Sequence, residues 1–117
     1  VAKKGRSYMK RIKASENKRI ILGKVGENKS TVVKIPFPSD LIGYEMKLFY
    51  KIPNSLLSAE APAENITAAD GFIHWIITDD VTAKAGKVAF QIRFISGKQI
   101  VKSAVYEGVV LPSIYEL

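Results

Sequence analysis

Gly71–Lys98, GFIHWIITDDVTAKAGKVAFQIRFISGK, decides how this chain folds. It holds two apolar segments of strand length, separated by a short polar corner and closed by Ser96-Gly97-Lys98. In the second segment Val88, Phe90, Ile92 and Phe94 fall on one face, while Gln91 and Arg93 fall on the other. Successive side chains of an extended backbone point to opposite sides, so a period of two marks a strand with one buried and one wet face. In the first segment Ile73, Trp75 and Ile77 repeat at the same spacing. That places the lone tryptophan in the core, or across the sheet surface if the register runs the other way.

Reading outward, Lys18–Lys24 is the first expected strand, and Gly26-Glu27-Asn28-Lys29 the turn after it. Glycine and asparagine tolerate the backbone angles that turns require. Thr31–Phe37 is rich in β-branched residues and suits a second strand, limited by Pro36 and Pro38 because proline cannot donate to a sheet ladder. Tyr44–Ile52 is the third, with Met46, Leu48, Tyr50 and Ile52 on one face. Between Pro53 and Asp70 the pattern breaks, and only Leu56-Leu57 and Asn65-Ile66-Thr67 hint at short edge strands. Phe72–Thr78, Lys87–Ile95 and a long Ile100–Leu111, bent near Glu107-Gly108, complete the set. Six or seven strands with almost no helix predict an all-β fold: a two-sheet antiparallel β-sandwich of immunoglobulin type. A strand-rich oligonucleotide-binding barrel is the alternative.

The chain has 117 residues and no cysteine, so it is the size of one domain and has neither disulfides nor thiolate metal sites. Its net charge of +7 is unevenly placed. Residues 1–29 carry ten Lys or Arg against Glu16 and Glu27, and the remaining body is close to neutral. The expected organisation is a basic flexible arm over residues 1–16 and a sandwich domain over residues 17–117. A basic arm on a neutral body suits an acidic neighbour or a nucleic-acid contact, and equally a solvated tail. The candidate partner-binding residues are Lys3, Lys4, Arg6, Lys10, Arg11 and Lys13. The opening VAKKGRSYMKRIK has no apolar run behind it, so it does not read as a secretory signal, and no apolar run reaches membrane-spanning length.

No local motif amounts to an enzyme. His74 is the only histidine and lacks the partners that catalysis or metal binding requires. Asp79 and Asp80 are adjacent and point to opposite faces if extended; they suit capping of a helical turn at Val81–Lys84 better than calcium or acid–base chemistry. Gly23–Ser30 comes within one residue of a phosphate loop, but TVVKIP follows where a helix is required. The acceptor patterns Asn28-Lys29-Ser30 and Asn65-Ile66-Thr67 mean nothing without a eukaryotic secretory route. No catalytic residue, cofactor or metal is expected.

The order of elements resembles the N-terminal domain of phage baseplate upper proteins and related tail-associated immunoglobulin-like domains. The resemblance runs from about Lys18 to Ser113 through KRIILGKVGENKSTVVKIPFP, LIGYEMKLFYKIP, DGFIHWIITDDVTAKAG with KVAFQIRF, and IVKSAVYEGVVLPSI. The Asp70-Gly71 turn and the TAKAG corner carry most of it. It implies a non-enzymatic virion structural module, made in the bacterial host cytoplasm, that docks in a tail or baseplate as a homo-oligomer through contacts with other virion proteins. Those proteins generally continue into a helical linker and a further domain, whereas this sequence stops at Leu117, as either a fragment of a longer protein or a stand-alone module; the docking role is the part of the resemblance expected to carry over. Two readings from other classes stand beside it: a nucleic-acid-binding barrel using the basic arm, and a carbohydrate-binding module built on Trp75, Tyr44 or Tyr50.

Overall fold

Alternation of apolar and polar side chains builds the second half of the chain as the sequence predicts. The computed structural model describes residues 9–113 as an all-β sandwich of two sheets. Its strands in chain order are β1 (Lys10–Lys13), β2 (Ile20–Lys24), β3 (Thr31–Pro36), β4 (Glu45–Lys51), β5 (Ala59–Glu60), β6 (Ile66–Ala69), β7 (Phe72–Ile76), β8 (Gly86–Ser96), β9 (Gln99–Lys102) and β10 (Tyr106–Leu111). The first sheet has the order β1-β3-β7-β6; the second has β2-β10-β8-β4-β5, with β9 pairing β8 beyond the end of β10.

The core lies between the sheets, where the inward faces meet. Ile35, Ile73 and Trp75 of the first sheet oppose Leu48, Val88, Phe90, Ile92 and Phe94 of the second, all at most 1% exposed. Trp75 sits 5.2 Å from the Phe90 ring and 5.8 Å from Tyr50, and Phe90 stacks on Tyr106 at 5.5 Å. Offset and tilted ring pairs at this spacing add to the area they bury. The tryptophan is therefore interior, and the register left open by the sequence is settled.

Two hairpins show why the strands turn where they do. Asp70 and Gly71 have φ of 55° and 77° and join the paired residues Ala69 and Phe72. Two successive left-handed residues match the twist of the flanking strands, which is why Asp-Gly is favoured there. Gly97, φ 59°, opens the second hairpin between β8 and β9.

Several expectations change. Each sheet contains one parallel pair, β1 with β3 and β2 with β10, so the sandwich is mixed and not wholly antiparallel. Residues 10–13 of the expected flexible arm are strand β1, and Ala14 is buried in the core. The single closing strand expected over Ile100–Leu111 is two, because the chain kinks at Ser103. Ser103 Oγ accepts from Ile92 N at 3.0 Å in place of a ladder carbonyl, while Ser103 N donates to Ile92 O at 2.9 Å. Leu56 and Leu57 form no strand and stand 91% and 81% exposed in the β4–β5 connection, whereas Ile66–Ala69 is the edge strand β6. Asp79 and Asp80 lie inside a turn closed by Val81 N donating to Thr78 O; the side chain that accepts from the turn is not theirs but Asn28 Oδ1, 3.1 Å from Asp79 N.

Strand β2 carries a bulge. Ile21 pairs with Val109 and Gly23 with Val110, leaving Leu22 as the extra residue. Leu22 is 1% exposed and packs directly on Gly108, where an added Cβ would come within 2.6 Å of its Cγ. Glycine at 108 and the bulge at 22 are thus one feature: the missing side chain makes the space that the extra residue fills.

Candidate functional site

Strands β1 and β2 end their respective sheets, and each pairs on one side only among the described residues. The chain passes from one to the other through residues 14–19, so the two edges lie along the same flank of the sandwich. An unpaired edge presents N–H and C=O groups able to accept another strand. Two hollows open between them. One, of about 270 Å³, is lined by Lys10, Lys24, Glu27, Ile21 and Leu111 among others; the second, of about 590 Å³, by Ile12, Lys13, Lys18, Arg19 and Ile20 among others.

The flank is basic on an apolar floor. Lys10, Lys13, Lys18 and Lys24 are exposed and have no carboxylate within 4 Å among the described residues. Arg19 is the exception, pairing with Glu107 at 3.3 Å. Glu27, which lines the first hollow, is turned onto the backbone, its Oε1 accepting from Lys24 N at 2.9 Å. Gly23 permits this, since its φ is 143° and a Cβ there would lie 2.8 Å from that oxygen. Ile21 is 42% exposed beside these lysines.

The structure divides the six predicted interaction residues. Lys3, Lys4 and Arg6 lie outside the described residues. Lys10 and Lys13 line the flank, while Arg11 pairs with Val32 and so belongs to the outer face of the first sheet. Lys13 lines the second hollow, but its ammonium group is on the outer face with Arg11: Lys13 pairs with Lys34, and the two ammonium groups sit 5.3 and 4.4 Å from the Phe72 ring centre. The ring's negative face offsets some of the repulsion between them. Lys18, Arg19 and Lys24 were not among the predicted residues. They bracket the first expected strand, and their place beside β1 follows only once β1 is known to be a strand. Lys34 depends on the parallel register of β1 with β3, for which no local sequence signal exists.

The remaining candidates are placed plainly. His74 lies on the outer face of the first sheet, its Nε2 3.1 Å from Ala69 O. Tyr50 and Trp75 are buried, so neither offers a ring to a sugar; Tyr44 is half-buried and donates to Gln99 Oε1 at 2.9 Å. The core placement of Trp75 is thus the one the structure shows, and the carbohydrate-binding alternative loses Trp75 and Tyr50 as platforms, because both rings lie in the seam between the sheets. Burial pushes the Tyr50 and Tyr106 phenols above their ordinary range, with the charges of Asp80 and Glu16 adding in the same direction. Among the described residues no cluster of three metal-ligating side chains occurs, and no helix is long and apolar enough to cross a membrane.

The fold is similar to that of the N-terminal domain of phage TP901-1 ORF48. The two share a TM-score of 0.52 and 10% identical residues, over 90% of this chain and 99% of that one. At that identity the likeness is one of fold. No family model matches the sequence, and no curated protein matches it.

Proposed function

We propose that this chain is a non-enzymatic structural module of a phage virion, docking in the tail or baseplate through contacts with other virion proteins. The observation that carries the reading is the flank where two sheet edges open side by side over Lys10, Lys13, Lys18 and Lys24. Strand addition at such an edge gains main-chain hydrogen bonds, and the unpaired lysines select an acidic partner. The fold shared with the N-terminal domain of a phage protein supports the setting. The module acts as a homo-oligomer, and its host makes it in the cytoplasm before it enters the particle.

The nucleic-acid alternative is the weaker fit. Phe72, the aromatic ring among the cations of the first sheet, already lies under Lys13 and Lys34 and offers no free face for base stacking. The test is direct. Density-banded particles from cells carrying the gene are probed with an antibody against the chain, and the chain's mass in solution is measured. Finding it in stoichiometric amounts in the particles and as a multimer in solution supports the reading. Its absence from particles, together with salt-sensitive retention on DNA, replaces virion docking with nucleic-acid binding.

A further inference from the structure

The outer face of the second sheet carries a second feature, away from the flank. Lys47 of β4 pairs directly with Arg93 of β8, and Arg93 pairs directly with Lys102 of β9. Three cations therefore stand in one row across three adjacent strands, with neighbouring strands about 4.8 Å apart. Like charges directly opposite one another in a sheet are destabilising. Among the described residues no carboxylate lies within 4 Å of any of the three. The Nε of Arg93 is buried without a hydrogen-bond partner, and the guanidinium rests 4.1 Å from the Phe49 ring centre. That contact restrains the guanidinium over the ring, and a restrained fork suits bidentate recognition of a carboxylate.

The row ends at an open edge. Strand β9 pairs only with β8 among the described residues, and Ile100, on the same face as Lys102, is 59% exposed. An extended segment added beside β9 would set one side chain next to Lys102 and another, two residues away, next to Ile100. We propose that β9 accepts an extended segment of another virion protein by strand addition, with an acidic side chain completing the Lys47–Arg93–Lys102 row and an apolar one covering Ile100. A polyphosphate fits this surface less well. Glu45 lies two residues from Lys47 on the same face, and Glu60 pairs with Phe49 beside the row, so carboxylates flank the cations on either side.

The experiment uses the full chain and a fluorescein-labelled peptide, Thr-Glu-Thr-Val-Thr-Glu-Thr-Val-Thr, read by fluorescence anisotropy. The peptide binds the native chain, and Lys102→Gln or Arg93→Gln weakens it by about tenfold, the scale of losing one charge-assisted contact. The exposed Lys102 variant guards against a folding defect in the half-buried Arg93 variant. A peptide with Lys in place of Glu does not bind. Lys102→Glu, which relieves the row internally, raises the melting temperature at low salt and abolishes peptide binding. The proposal is overturned if native and variant chains bind the acidic peptide equally or not at all. It is overturned equally if oligo-thymidylate competes more strongly than the peptide, which would make the row a phosphate site.

Discussion

The seam around Trp75 and the flank between β1 and β2 are made by the same alternation, yet they do opposite work. In the seam the inward residues of the two sheets fill one another's gaps: Trp75 against Phe90 and Tyr50, Leu22 against Gly108. On the flank the pairing stops, and what faces outward is charge over an apolar floor. Burial scales with apolar area and tolerates few changes. Exposed charge contributes little to stability and much to the choice of partner. Changes in the seam are therefore expected to alter folding, and changes on the flank to alter docking.

The sharpest break of that division is Trp75→Ala. Truncating a large, fully buried aromatic side chain costs about 3–5 kcal/mol, so denaturant unfolding should show a midpoint far below the native one or no folded baseline at all. A loss under 1 kcal/mol on the scale of ordinary surface changes would remove Trp75 from the core. Gly108→Ala comes next. The added methyl meets Leu22 inside van der Waals contact, and overpacking of this kind costs about 1–3 kcal/mol. Combining it with Leu22→Ala should cost less than the two single losses summed, a coupling that a double-mutant cycle measures.

Much of the seam was legible because strict alternation leaves one choice of face. Val88, Phe90, Ile92 and Phe94 of β8 could be assigned inward from their spacing alone. The Asp70-Gly71 turn was legible for a similar reason: few dipeptides accept two left-handed residues in succession. Strand β1 was not. KRIK has three exposed cations, and its one apolar side chain, Ile12, says nothing of its partner Val33, 21 residues along the chain. Parallel pairing leaves no turn signature, since its two strands are not joined by a hairpin. The kink at Ser103 was hidden as well, because it rests on a hydroxyl taking the place of a carbonyl in the ladder. Half of the candidate site, Lys10 and Lys13, came from charge counting, whereas Lys18 and Lys24 joined it only through the fold.

Smaller effects separate the regions further. Tyr50 and Tyr106 hold their protons more tightly when folded than when unfolded, where phenols ionise near pH 10. Their stabilising effect is complete below about pH 10 and is lost as the pH rises through the folded-state pKa values. Urea midpoints should be flat from neutral pH toward 9 and then fall; Tyr50→Phe should flatten part of that alkaline loss. Smallest in stability is Lys18→Glu with Lys24→Glu. The unfolding free energy from urea titration should stay within about 0.5 kcal/mol of native, as for most surface changes, while incorporation into particles drops. Unchanged incorporation with reversed charge would separate docking from the flank.

Hydrogen exchange at residues 10–13 and 20–24, compared between the free chain and the chain in purified particles, tests the docking account most directly. The account predicts that these edge amides exchange faster than those of β7 and β8 in the free chain and become protected on assembly. Equal exchange at β1 and β2 in both states, with protection arising elsewhere, would contradict it.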